Sequence, residues 1–163
     1  MISIPTKFKK PADIEAFAQT LKNPENSPAR TVRVCIGTGC AAKGSRKLYE
    51  LFLEAAKEHG ENIRIEAKCV GCHGFCERGP IVVIEPGEIF YQQVEEPDVA
   101  EIFRETVLGG KILDRLLYED SSTEKKAKTE KEIPFYKVQH RIVLAGNGRI
   151  DPDTGSPPAV RIE

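Results

Sequence analysis

Residues 31–36 alternate in character, with Val32, Val34 and Ile36 interleaved by Arg33 and Cys35. A period of two predicts a strand. From Ser45 to His59 the period becomes helical: Leu48, Leu51, Phe52, Ala55 and Ala56 share one face, and Gly60 is a natural stop. Ile63, Ile65 and Ala67 then alternate with Arg64 and Glu66, so a second strand runs into Cys69. The continuous apolar run 81–84 has the pattern of a buried strand. Pro86-Gly87 suits the centre of a tight turn, because proline presets one dihedral and glycine tolerates positive φ at the next. Residues 89–94 form the returning strand. Pro97 opens a helix that turns Val99, Ile102, Phe103 and Val107 inward and closes at Gly109-Gly110. Upstream, residues 11–21 place Ile14, Phe17, Ala18 and Leu21 at helical spacing, before prolines and polar residues break the pattern at 23–29.

From residue 31 the order is therefore β-α-β-β-β-α. Strands one and two flank a helix and should run parallel, while three and four form a hairpin. This is an α/β fold, a mixed sheet flanked by helices, and a thioredoxin-like arrangement fits the order. Four stretches result: a helical extension (1–30), a central domain (31–118), a charged linker (119–132) and an extended tail (133–163). The linker is almost wholly charged or small and polar, without periodicity, and reads as solvated. A short helical turn is expected over 112–118. The tail has too few apolar positions to fold alone, so it should lie on a partner surface or be disordered.

Charge excludes some partners. Lysine plus arginine (24) nearly cancel aspartate plus glutamate (25), which argues against nucleic acid and anionic membranes. No stretch approaches the roughly 20 apolar residues that span a bilayer. The first residues include Lys7, Lys9 and Lys10 but no apolar run of signal-peptide length. The expected location is the cytoplasm, where five cysteines serve metal or redox chemistry better than a disulfide framework.

The cysteines are spaced C-x4-C (Cys35, Cys40) and, after a long gap, C-x2-C-x3-C (Cys69, Cys72, Cys76). Cys35 ends a strand and Cys40 sits in the glycine loop 37–44. Parallel neighbouring strands would bring that loop and the loop 69–79 to one edge of the sheet, where open sheets commonly place their sites. Glycines suit an iron–sulfur cluster because backbone N–H groups must come close to sulfur. Gly37, Gly39, Gly71 and Gly74 are the expected positions, with Lys43, His73 and Arg78 nearby to stabilise the charge of a reduced cluster. Spacing alone leaves structural zinc equally open, since Cys69-x2-Cys72 is the zinc-knuckle spacing. Cys69-Val70-Gly71-Cys72-His73 also matches a haem-attachment motif, but nothing here supplies export or a methionine ligand. A redox dithiol should start a helix, and this pair follows a strand. Gly37-Thr38-Gly39 lacks a third glycine for a dinucleotide fingerprint, and Ser45 stands where a P-loop needs lysine. His59 and His140 read as surface or packing residues.

Val34-Cys35-Ile36-Gly37-Thr38-Gly39-Cys40 and the run from Val70-Gly71-Cys72-His73-Gly74-Phe75-Cys76 through Glu77-Arg78-Gly79-Pro80-Ile81-Val82-Val83-Ile84 resemble the thioredoxin-like 2Fe–2S ferredoxin family. The closer likeness is to the N-terminal domain of the complex-I-type flavoprotein (beta) subunit of NAD-linked iron hydrogenases and formate dehydrogenases. It spans about residues 31–151. The resemblance implies one 2Fe–2S cluster on Cys35, Cys40, Cys72 and Cys76, with Cys69 outside the ligand set, and it favours cluster over zinc. It also implies that Gly79-Pro80 leads into the central hairpin. Phe135, Tyr136, Gln139, residues 141–144 and Ile150-Asp151-Pro152 resemble the connector ahead of a flavin domain.

The function this resemblance implies is a one-electron relay within an NAD(H)-linked multisubunit oxidoreductase, with FMN and NAD on a partner or missing domain. The alternative is a zinc-binding structural or adaptor module. Expected partners are a flavoprotein and other iron–sulfur subunits, with a homodimer allowed. No residue reads as acid, base or nucleophile toward a substrate, so the chain should not oxidise NADH on its own. The chain ends at Glu163 without the glycine-rich FMN and NAD sites of the fused subunits, which suggests a free-standing or truncated subunit.

Overall fold

The computed structural model describes residues 9–22, 30–59 and 65–151. Helix α1 (Pro11–Lys22) opens on proline, whose missing N–H would be unpaired in a first turn anyway. The Asp13 carboxylate accepts the amides of Lys9 and Lys10 at 2.9 Å each. Strand β1 (Arg30–Cys35) leads into a short helix α2 (Thr38–Ala42), the long helix α3 (Ser45–His59) and strand β2 (Ile65–Val70). β1 and β2 pair in parallel, from Arg30 opposite Ile65 to Cys35 opposite Val70. The helical crossover is what parallel pairing requires. Strand β3 (Val82–Glu85) lies antiparallel on the other side of β1 and turns back as β4 (Ile89–Tyr91), giving the order β2-β1-β3-β4. Gly87 takes φ 110° in that turn, a region that glycine reaches without steric cost. Helix α4 (Glu96–Glu101) starts in a capping box between Glu95 and Asp98 and widens into a π-helical stretch, Ile102–Leu108.

Alternation sorts the sheet into two faces. Val32, Val34, Val82, Ile84 and Tyr91 pack with Leu48, Phe52 and Ala56 of α3 and with Val99, Ile102, Phe103 and Val107. Tyr91 is fully buried, but its hydroxyl bonds Thr106 Oγ1 at 2.8 Å and accepts the Leu113 amide at 2.9 Å. Its burial therefore leaves no unpaired polar group. On the opposite face Cys35, Ile81, Val83 and Phe90 pack with Ala127, Ile133 and Tyr136. Arg33 lies on this side too, only 4 % exposed.

That second face overturns two expectations. Residues 119–132 are not a linker: β5 (Tyr118–Glu119) pairs antiparallel with β6 (Lys126–Ala127), and a 3-10 turn (Glu130–Glu132) follows inside a Thr129/Glu132 capping box. The charged side chains remain largely exposed while the backbone bonds to itself and to β4, where the Phe90 amide donates to the Lys128 carbonyl at 2.7 Å, so composition carried no sign of folding. The tail expectation also fails over residues 133–151. From Ile133 through α5 (Pro134–Lys137) to Asp151 the chain forms a strap that returns across the sheet, with Gly71 donating its amide to the Ile150 carbonyl at 3.0 Å. Residues 152–163 lie outside the described residues, as do 1–8, 23–29 and 60–64.

Smaller differences concern element ends. The expected loop 37–44 contains α2. β4 stops at Tyr91 because the amides of Gln92, Gln93 and Val94 bond Leu116, Arg78 and Pro80 instead of the hairpin. The helical turn expected over 112–118 is the 3-10 turn Asp114–Leu116.

Ile133, where the strap begins, is fully buried against the second face of the sheet, so Ile133→Ala should destabilise the protein by about 2–5 kcal/mol in urea unfolding. A loss below about 0.5 kcal/mol, the scale of a surface change, would mean that the strap does not pack on the sheet in solution.

Candidate functional site

The parallel pairing of β1 and β2 ends both strands at one edge. The Cys35 amide donates to the Ile81 carbonyl and that of Ile36 to Val70, both at 3.0 Å, which fixes where the two cysteine loops leave the sheet. Loop 36–44 carries Cys40 at the third residue of α2, buried with Cys35. Loop 71–81 carries Cys72, half-buried, and Cys76, exposed at the start of a 3-10 turn. The Cys72 and Cys76 sulfurs are 3.8 Å apart, and the Cys40 thiol hydrogen-bonds that of Cys35. The four expected residues thus come together as two pairs. Among the described residues no three His, Cys, Asp or Glu side chains close on a single point as they would around one ion. Cys69 stands apart: in β2 it is in register with Val34, on the sheet face packed against α3.

Glycine makes the approach of the loops possible. A Cβ built on Gly37 would lie 2.7 Å from Cys72 Cβ and 3.1 Å from its sulfur. One on Gly39 would lie 3.1 Å from Cys76 Cβ, and one on Gly79 only 2.5 Å from Cys40 Sγ. Each cradle holds a strand-end loop against the opposite cysteine. The Gly74 amide donates to Cys72 Sγ at 3.2 Å, as the sequence suggests. Gly71 does not serve the sulfurs, and its open side faces Asn147 and the Ile150 carbonyl. Gly79 serves the site differently, by leaving room for Cys40 Sγ while its amide bonds the Cys76 carbonyl at 3.2 Å, and the sequence could not show this because Cys40 lies in the other loop.

Amide donors favour charge on sulfur. The Cys35 thiol is shifted well down, first by the hydrogen bond from Cys40 and then, against burial, by the amides of His73 and Gly37. Cys40 is shifted up because it holds the proton facing that sulfur, although the Ile81 amide opposes the shift. Burial raises Cys72, opposed by the Gly74 amide. Such donors stabilise thiolate ligands and the additional electron of a reduced centre.

The neighbouring cations act structurally. Lys43 Nζ donates to the carbonyls of Cys76, Glu77 and Gly79 at 3.2–3.3 Å, clipping one loop to the other. Arg78 sits over the Tyr118 ring, 5.5 Å from its centroid. The His73 ring is buried, with Nδ1 3.1 Å from Glu130 Oε2. Burial raises the Glu130 carboxyl, but the His73 hydrogen bond and the charges of Arg141 and Arg149 bring it below its ordinary value. An ionised carboxylate only accepts, so the proton belongs on Nδ1. Arg141 donates to the His73 carbonyl at 2.8 Å and approaches Glu130 Oε1 at 3.4 Å. Phe75, between Cys72 and Cys76, stacks on Phe135 of the strap with centroids 4.6 Å apart. Glu130 and Arg141 were not readable as site residues, because only the return of the strap brings them there.

A family model described as thioredoxin-like [2Fe-2S] ferredoxin matches residues 15–107. The 2Fe-2S ferredoxin of Clostridium pasteurianum is 32% identical over 77 residues, which is 47% of this chain and 76% of that protein. That of Aquifex aeolicus is 33% identical over 79 residues, covering 48% and 71%. The crystal structure of the wild-type thioredoxin-like [2Fe-2S] ferredoxin from Aquifex aeolicus superposes with a TM-score of 0.52 at 28% identity, covering 58% of this chain and 100% of that one.

Proposed function

We propose, from the premise that the chain belongs to the thioredoxin-like [2Fe-2S] ferredoxin family, that Cys35, Cys40, Cys72 and Cys76 hold one 2Fe–2S cluster. As a member of that family the chain is an electron carrier with a thioredoxin-like fold. Bound to those cysteines, the cluster supplies one-electron redox chemistry. The observation that carries the ligand assignment is the double cradle: two cysteine pairs from two strand-end loops, each loop bearing glycine against the opposite sulfurs. Side chains at Gly37, Gly39 or Gly79 would fill that space.

The chain's own groups divide the remaining work. Amides of Gly37, His73, Gly74 and Ile81 point at sulfur and favour its negative charge. Burial of Cys35 and Cys40 keeps water from one side, and Cys76 provides the exposed edge through which an electron would leave. Val138, Ile142, Val143 and Leu144 are exposed on the strap that touches the Cys72–Cys76 loop. Apolar exposure beside a redox centre suits a protein partner.

The finer reading is a relay within an NAD(H)-linked multisubunit oxidoreductase such as a hydrogenase, a formate dehydrogenase or a complex-I-like assembly. In it a flavoprotein carries FMN and NAD and handles the two-electron hydride chemistry. Other iron–sulfur subunits complete the path. The proposed carrier unit is residues 31–118, preceded by α1 (Pro11–Lys22), with 119–151 folded onto it. Among the described residues no helix is long and apolar enough to cross a membrane, and the proposed location is the cytoplasm.

The test is metal and sulfide analysis of anaerobically prepared protein, with low-temperature EPR before and after dithionite. Iron and acid-labile sulfide in equal amounts should appear, silent when oxidised and spin one-half when reduced. Stoichiometric zinc without sulfide, persisting after anaerobic reconstitution, would sink the relay and leave the structural module.

A further inference from the structure

Between the strap and the second face of the sheet lies a cavity of about 260 Å³ whose lining holds no cysteine. Four cations line it, Arg33, Lys131, Arg141 and Arg149, against two carboxylates, Glu88 and Glu130. Both carboxylates are already engaged. Glu130 serves His73 and Arg141, and Glu88 faces Lys131 at 3.3 Å and Arg149 at 3.6 Å. With Glu85 bonded to Arg33, four cations face three carboxylates, an excess of one positive charge.

Two donor atoms in the wall have no acceptor. Arg33 bonds the Gly148 carbonyl at 3.0 Å and Glu85 at 2.9 Å, but its Nε bonds nothing. The Tyr136 hydroxyl is buried beside the Arg141 guanidinium, which can only donate, so its own proton has no acceptor. A buried donor left unmade costs roughly 1–3 kcal/mol, so such groups call for an explanation. Burial, and then the like charge of Arg149 against the attraction of Glu85, lowers the Arg33 pKa. An anion there would relieve both effects.

We propose that this cavity binds a small phosphate-class oxyanion, held by Arg33, Arg141 and Arg149 with the Tyr136 hydroxyl donating to it. Guanidinium forks match the paired oxygens of such ligands. The volume falls below the roughly 300–1,000 Å³ of drug-sized sites, which favours a compact anion over a whole cofactor. Arg33 belongs to β1, whereas Arg141 and Arg149 belong to the strap, so the ligand bridges sheet and strap and holds the strap closed. The family match ends at Val107, which leaves most of this wall outside the part shared with the ferredoxin relatives. The same chemistry could come from free phosphate or from the phosphate of a nucleotide reaching in from solvent.

The test is isothermal titration of the full chain with inorganic phosphate at fixed ionic strength in a chloride background. One saturable site is expected. Arg149→Gln, at a side chain 54% exposed, should weaken it at least tenfold without disturbing the fold, whereas Arg104→Gln, outside the cavity, should leave it unchanged. Tyr136→Phe keeps the ring and should weaken binding too. Heat that does not saturate, or an affinity unchanged in both Arg149→Gln and Tyr136→Phe, would overturn the site. Adenosine monophosphate that competes more tightly than phosphate would identify a nucleotide source, and failure to compete would identify the free ion; either upholds the site. The readout does not depend on the cluster, so it stands or falls separately from the electron-carrier reading.

Discussion

Cys35→Ala is expected to strip the protein of iron, sulfide and visible absorption, while Cys69→Ala keeps all three. Cys35 is fully buried and lies in the deeper pair, beside Cys40 and under the amides of His73 and Gly37. Alanine removes the sulfur these amides serve and leaves no side chain able to reach the gap. Cys69 cannot step in, because its register with Val34 places it on the opposite face of β1–β2. Losing an outer-shell group around a metal costs roughly 10–100-fold in affinity, so loss of a direct ligand should exceed about a hundredfold. Anaerobic iron and sulfide assays with an absorption spectrum check both variants. Wild-type content in Cys35→Ala would remove Cys35 from the ligands. Bleaching in Cys69→Ala, with the fold intact, would put Cys69 among them.

The elements that packing on one face dictates are legible in the sequence. Ser45–His59 is legible to both ends, because Leu48, Phe52 and Ala56 repeat at the period by which α3 meets the sheet. The hairpin from β3 to β4 is legible through Pro86-Gly87, and the parallel pair through the helix between its strands. The strap is not. It and the segment ahead of it bury Ala127, Ile133 and Tyr136, which show no period because β6 and α5 are only two and four residues long. Charge dominates the sequence around them, and charged side chains can stay solvated while the backbone beneath them folds. Arg33 misleads for the same reason: it alternates like a solvent-facing residue, yet the return of the chain buries it.

The site divides along the same line. Cysteine spacing and the strand order are sufficient to bring two loops to one edge, since parallel neighbours must end together. Which glycine lies against which sulfur depends on how the loops interleave, and local sequence does not encode that. The pairing of His73 with Glu130 spans 57 residues and exists only because the 3-10 turn Glu130–Glu132 packs on the second face. The strap thus joins the cysteine loop, through Arg141 and Phe135, to the charged cavity behind it. Local periodicity cannot report a contact made by tertiary return.

Two glycines separate steric need from backbone need, and their alanine variants should fail differently. Gly79 has φ −75° and ψ 161°, a conformation any residue adopts, so Gly79→Ala carries no backbone strain. Its new Cβ would instead lie 2.5 Å from Cys40 Sγ, and Cys40 is only 1 % exposed. Gly44 is the converse: φ is +88°, and no atom lies within 4 Å of a built Cβ. Gly44→Ala should cost roughly 1–2 kcal/mol of stability through left-handed strain while iron, sulfide and spectrum stay those of the wild type. Gly79→Ala should displace Cys40 and lower cluster content by about tenfold or more, on the scale of disturbing a ligand's support. Metal analysis alongside urea unfolding distinguishes the two. A Gly79→Ala protein with full iron, sulfide and an unchanged reduced EPR signal would show that Cys40 tolerates the intrusion, and with it that the cradle is not needed to hold a ligand in place.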